Sequence, residues 1–296
     1  MCRKLFKTID QLVDLLYGRG LICKDREELR LFLHNINYYR FSGYAREFQK
    51  DPAFGDNNFV RDTDFSRIHE LIELDSQLRQ LLLEQLSIVE IAIRARYAHE
   101  LGHVYGSDAF YLDLNNYEVI NDKPGVTIKG ILQDLQRSRS RMIRHYRKTE
   151  ENPGIEDIRV YQDVPIWVAV EVLSFGRIAN MLTYLKNNEP AKRVAESMNV
   201  QWSPFTEVIH SLSVLRNLCA HHQQLWNRFL DIRCPVQKKL RPRSVSFTPG
   251  SIYTAIIMLN YYREKIDGDR FNALKINDLL SQSKQFMEGI CCPKTK

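Results

Sequence analysis

A chain of 296 residues that is 44% hydrophobic and 26% charged holds enough apolar material for a sizeable core at ordinary globular charge density, which excludes a disordered or fibrous polypeptide. The net charge of +6 permits a nucleic-acid partner without demanding one. The six cysteines include no Cys-x-x-Cys, which leaves a zinc ribbon or redox motif unsupported, and no uncharged apolar run approaches the roughly 18 residues of a membrane span.

Free thiols in a reducing compartment are the simplest account of the cysteines. The start Met1-Cys2-Arg3-Lys4 leads into an amphipathic pattern with Asp10 and Asp14, so no secretory signal is expected and the chain is read as cytoplasmic, away from membranes. Thirteen glycines and ten prolines fall between long periodic runs, which favours an all-α fold. Thr8-Ile9-Asp10-Gln11 reads as a capping box opening a short helix that Gly18 and Gly20 close. Asp25 with Glu28 starts a second helix through Leu29, Phe32, Leu33 and Ile36. It runs into Tyr38-Tyr39-Arg40-Phe41-Ser42-Gly43-Tyr44, where Tyr38, Tyr39 and Arg40 can stack on bases, although tyrosines filling a helix junction explain the pattern as well.

After a polar loop from Asp51 to Asp64, a long helix is expected over about 64–102, with Ile68, Ile72, Leu78, Leu82, Leu86, Val89 and Ile93 on it. Its second half is apolar nearly all round, which predicts a central, buried helix, with Glu90–Arg94 and Arg96–Glu100 as i,i+4 pairs. A basic helix is expected over about 127–149, with Arg137, Arg141, Arg144 and Lys148 on one stripe, and Asn152-Pro153-Gly154 then breaks the chain. Like charges one turn apart repel, a cost that a polyanion would relieve. Pro165 opens an apolar helix running to Leu185, and Ser203-Pro204 opens another expected over about 203–232. Lys238, Lys239 and Arg241 lie in a basic extended loop, Thr248-Pro249 starts a further helix, and a last one is expected over about 272–287.

On a helical wheel of the 203–232 segment, Val208, Leu215, Leu218, Cys219, Trp226 and Phe229 form the core face. Asn217, His221, Gln224 and Arg228 form a polar face with Arg216 at its flank, while His222 falls among the apolar residues and reads as a core histidine. Arg216, Asn217 and His221 therefore combine a cation, an amide and an imidazole. That set suits phosphodiester cleavage without a metal: imidazole moves protons near neutral pH, guanidinium holds a phosphate oxygen, and RNA supplies its own 2′-hydroxyl nucleophile. Spacing alone is weak, because Arg followed by His after four to six residues also occurs at Arg94…His99, Arg96…His103 and Arg139…His145. No phosphate-binding loop, dinucleotide fingerprint, nucleophile elbow, His-Glu-x-x-His helix or acidic cluster is present, so no metal or cofactor is expected.

Arg216-Asn217-x-x-x-His221 resembles the signature of HEPN-superfamily ribonucleases. Phe32 to Tyr44, Ile88 to Arg94, Pro165-Ile166-Trp167 with Glu171 to Gly176, and Leu215 to Arg228 resemble, in order, the blocks of the AbiD/AbiF abortive-infection family of bacteria. The resemblance implies a HEPN-like helical bundle over 61–296 with an N-terminal helical extension over 1–60, and a role in defence against phage through toxic RNA cleavage. It implies Arg216, Asn217 and His221 as the catalytic set, a homodimer that brings two such sets together, RNA as substrate, and a structured small RNA as antitoxin. Arg137, Arg141, Arg144, Lys148, Lys238, Lys239, Arg241, Tyr38, Tyr39 and Arg40 are the residues expected to hold RNA. The alternatives are a non-catalytic RNA-binding or partner-binding helical module, and an additional active pair at Arg94 and His99.

Overall fold

A computed structural model describes residues 5–120, 123–124, 128–148 and 157–294. The expected break at Asn152-Pro153-Gly154 lies outside these residues, as do positions 127 and 149 of the expected basic helix. The described residues form thirteen α-helices and two two-stranded ribbons, so the fold is an all-α bundle. No helix among them is long and apolar enough to cross a membrane.

Helix α1 (Ile9–Gly18) opens on the expected capping box: the Thr8 hydroxyl accepts the Gln11 amide at 3.3 Å and the Gln11 side chain accepts the Thr8 amide at 2.9 Å. Asp25 caps α2 (Arg26–Asn35) and Asn37 caps α3 (Tyr38–Ala45). A ribbon of β1 (Gln49–Asp51) and β2 (Asp56–Phe59) leads to α4 (Phe65–Tyr105), capped by Asp64. Helix α4 has 41 residues and is about 60 Å long. Ile68, Ile72, Leu78, Leu82, Leu86, Val89 and Ile93 are all buried on it, because helices pack around several of its sides. Phe65 receives Phe32 at 5.0 Å and Phe41 at 6.2 Å between ring centroids, which joins α2 and α3 to the central helix.

A second ribbon, β3 (Val119–Ile120) with β4 (Lys123–Pro124), precedes the basic segment. That segment is two helices, α5 (Ile128–Arg137) and α6 (Arg141–Tyr146), separated where the Ser140 hydroxyl caps the Met142 amide at 3.2 Å. The single basic stripe expected from a continuous helix therefore does not form. The apolar segment after Pro165 also splits, into α7 (Ile166–Ala169) and α8 (Phe175–Tyr184). Two groups satisfy the backbone at that break: Arg94 donates to the carbonyls of Val170 and Leu173, and the Asp134 carboxylate accepts the Ser174 amide at 3.1 Å.

Helix α9 (Glu189–Ser197) lies against α4 and is followed by α10 (Phe205–Ala220), which ends twelve residues before the expected 232. His222, at φ +53°, occupies the left-handed position just past the helix end. The Gln223 amide donates to Leu218 at 2.9 Å and the His222 amide to Cys219 at 3.1 Å, the paired bonds of a Schellman termination. A helical wheel has no meaning beyond Ala220, so His222, expected in the core, is exposed. The chain closes with α11 (Ile252–Asp267), α12 (Phe271–Ser281) and α13 (Lys284–Cys291); the last two divide the single helix expected near 272–287 where Ser283 caps α13.

Candidate functional site

Helices α4 and α10 pack against each other, and Arg216 meets Glu90 across that contact. Arg216 Nε donates to Glu90 Oε2 at 3.0 Å, and Nη1 reaches Asn217 Oδ1 at 3.5 Å. The Arg216 side chain stays 34% exposed, whereas Glu90 is buried. The other oxygen of Glu90 belongs to Arg94, whose Nε lies 3.2 Å from Oε1. The expected Glu90–Arg94 pair therefore forms, with α10 supplying a third member. Arg96 and Glu100 do not pair with each other: Arg96 bonds the Ser197 hydroxyl and Glu100 meets Arg193 at 3.7 Å.

Asn217 is exposed, and its carbonyl accepts the His221 amide at 3.0 Å, so His221 follows it by one turn at the helix end. The His221 side chain is exposed and has no hydrogen bond or ion pair among the described residues. Arg94 is mostly buried and paired with glutamate and carbonyl oxygens, the arrangement of a structural arginine, while His99 is exposed on the same helix.

The turn after His222 is held from beneath by a buried carboxylate. Asp75 is fully buried and accepts the amides of Leu225 at 3.1 Å and Trp226 at 2.9 Å, the Tyr44 hydroxyl, and a guanidinium nitrogen of Arg79. The same nitrogen of Arg79 lies 3.4 Å from the Gln223 carbonyl. Burial pushes the Asp75 carboxyl above its ordinary value, against the opposing pull of Arg79, Tyr44 and the two amides. The Tyr44 ring lies parallel to Trp226 at 6.1 Å and 8°. Helix α3 also packs on the turn: Arg40 donates to the His222 carbonyl, and Gln224 comes so near Gly43 that a Cβ there would meet its Oε1 at 2.6 Å. Cys219, on the buried face of α10, has its thiol pushed up to about 12 by burial and is a packing residue rather than a nucleophile.

The remaining basic and aromatic candidates separate into three places. Tyr38, Tyr39 and Arg40 lie on α3 beside the His222 turn; Tyr39 is 65% exposed, while the Tyr38 hydroxyl accepts from Arg19 at 3.1 Å. Arg137, Arg141, Arg144 and Lys148 are exposed, but Lys148 pairs with Asp163 at 3.2 Å and Arg144 bonds the Arg139 carbonyl at 2.9 Å. Lys238, Lys239 and Arg241 are exposed at the opposite end of α10, where Arg241 lines a cleft with Pro204 and Glu207. Sixteen residues of helix put that cleft about 24 Å from His221.

Asp75, Arg79 and Tyr44 were not among the residues singled out from sequence. Their signal is in the sequence: Asp75 and Arg79, each directly after a core leucine (Leu74 and Leu78), interrupt the apolar pattern of α4 at i,i+4 spacing. Against known families, a family described as Abi-like protein matches residues 31–227, about two thirds of the chain and the span that contains α3, Asp75, Glu90, Arg216 and His221. No curated protein and no solved structure matches.

Proposed function

This chain belongs to the Abi-like, abortive-infection family, and from that premise we propose that it is a HEPN-type, metal-independent endoribonuclease toxin. The observation that carries this reading is the exposed His221 side chain, without a partner among the described residues and one turn beyond Asn217, on the same helix end as the one-third exposed Arg216. In the proposed reaction the RNA 2′-hydroxyl gives its proton to an imidazole and attacks the adjacent phosphorus. The 5′-oxygen leaves and takes a proton, so the products are a 2′,3′-cyclic phosphate and a 5′-hydroxyl. Arg216 stabilises the charge that grows on the phosphoryl oxygens, and Asn217 positions the strand.

One chain supplies one Arg216–His221 set, so the proposal includes a second copy related by a two-fold axis, whose set completes the site. The face assigned to that copy is the exposed stripe Ser87, Ile91 and Ala95 of α4, where Ile91 is 65% exposed and is adjacent in sequence to Glu90. Tyr38, Tyr39 and Arg40 flank the His222 turn and are assigned to the substrate strand. Arg137, Arg141 and Arg144 are assigned to a structured RNA that restrains the toxin, with Lys238, Lys239 and Arg241 as its more distant contact.

The test is cleavage of a defined RNA in EDTA by wild type, His221→Ala and Arg216→Ala, with the product ends identified. Cyclic phosphate ends from the wild type alone are expected. Equal cleavage by His221→Ala would remove the imidazole from the mechanism. The second reading, an RNA-binding module without catalysis, is favoured by the exposed Arg137 and Arg141, and it predicts salt-sensitive binding with no cleavage products.

A further inference from the structure

We infer that Glu90 is the positioning residue of this site, acting through Arg216, and that Arg94 fixes Glu90 to the turn between α7 and α8. The inference rests on the nuclease reading for its kinetic arm only. Glu90 takes Arg216 at Nε, the inner nitrogen of the guanidinium, at 3.0 Å. That contact fixes the plane of the fork while leaving Nη2 without a partner among the described residues, and Nη1 with only the 3.5 Å contact to Asn217. A carboxylate placed to neutralise the guanidinium would take the terminal nitrogens that a phosphate needs; this one does not.

Glu90 in turn has little freedom. It is buried, and its second oxygen is taken by Arg94. Arg94 is pinned by the carbonyls of Val170 and Leu173, next to the Ser174 amide that Asp134 holds. Two guanidinium groups share one carboxylate, so the cluster keeps a net positive charge facing outward through Arg216. A fork held in one plane offers its outer nitrogens to a phosphate without first losing side-chain freedom.

The experiment compares Glu90→Ala, Glu90→Gln and the double variant Glu90→Ala/Arg94→Met, which keeps the test meaningful if an unpaired Arg94 unfolds the single variant. Displacing a positioned group by about an ångström costs on the order of 100-fold. For Glu90→Ala the expected result is therefore a kcat about 100-fold lower with KM within about threefold, and for Glu90→Gln, which keeps an acceptor at Nε, recovery to within about tenfold of wild type. The double variant is expected to follow Glu90→Ala. A second readout needs no activity: hydrogen exchange at Arg216 Nε by NMR, assigned from its absence in Arg216→Lys, is expected to quicken at least tenfold in Glu90→Ala. A folded Glu90→Ala with wild-type or higher kcat, or with unchanged Nε exchange, would overturn the inference. A wild type that cleaves no RNA would sink the nuclease reading, and the Nε exchange would still decide whether Glu90 holds Arg216.

Discussion

Replacing Asp75 by Ala removes one carboxylate and strands four groups. Arg79, only 6% exposed, keeps its charge with no counter-ion. An orphaned buried charge costs about 3–5 kcal/mol. The amides of Leu225 and Trp226 lose their acceptor as well, at about 1–3 kcal/mol for each one left unsatisfied. Relaxation of the turn and water entry keep these terms from adding fully, so the expected loss is at least about 4 kcal/mol. In a chain of this size that lowers the melting temperature by roughly 8 °C or more. The companion Asp75→Ala/Arg79→Met removes the stranded charge but not the stranded amides, so it is expected to recover about half of the loss. Urea unfolding at neutral pH followed by circular dichroism measures all three proteins. A single variant within about 1 kcal/mol of wild type, or a double variant no more stable than the single, would refute the reasoning.

Two further outcomes follow from exposed groups. Ile91→Arg places a charge in the centre of the face assigned to the second copy; sedimentation of the purified protein is expected to change from dimer to monomer with the fold intact, and RNA cleavage to fall with it. Neutralising Arg137, Arg141 and Arg144 together is expected to weaken RNA binding and to flatten the slope of log K against log salt by about two to three, with no loss of stability beyond about 0.5 kcal/mol, because all three side chains are exposed.

What the sequence made legible was whatever local chemistry decides. The capping box at Thr8, the cap at Asp25 and the central helix through Ile93 are set by neighbouring side chains and by apolar periodicity. The exposure of Asn217 and His221 was legible for the same reason, although the wheel reached the right exposure for His221 from a helix that stops one residue earlier. Helix ends were poorly legible where a distant group sets them. Nothing local marks Ala220 as the last helical residue, since no Gly or Pro follows until Pro235. The signal sits at Asp75, 150 residues away, which takes the Leu225 and Trp226 amides as the chain turns. The break after Ala169 likewise depends on Arg94 and Asp134, which lie on other helices.

Helix α4 explains how one short motif can be held in register at both ends. It contacts α10 and the turn beyond it at three levels: Glu90 on the Arg216 guanidinium, Arg79 on the Gln223 carbonyl, and Asp75 on the Leu225 and Trp226 amides. Glu90 and Asp75 are fifteen residues apart on α4, about 22 Å of continuous helix, and the motif lies along that length. The last contacts on one side of His221 and the first on the other are therefore referred to a single rigid body. Arg40 of α3 binds the same turn at the His222 carbonyl and Tyr44 binds the Asp75 carboxylate that holds it, which gives the tyrosine-rich N-terminal block a structural reason to be there before any contact with RNA is invoked. The spacing between a guanidinium and an imidazole is the quantity that phosphodiester chemistry depends on. In this chain two buried carboxylates on the helix that also carries the core hold the Arg216 guanidinium and the backbone of the turn beyond His221, so a substitution at Asp75 is expected to act on stability and on the placement of the His221 end together.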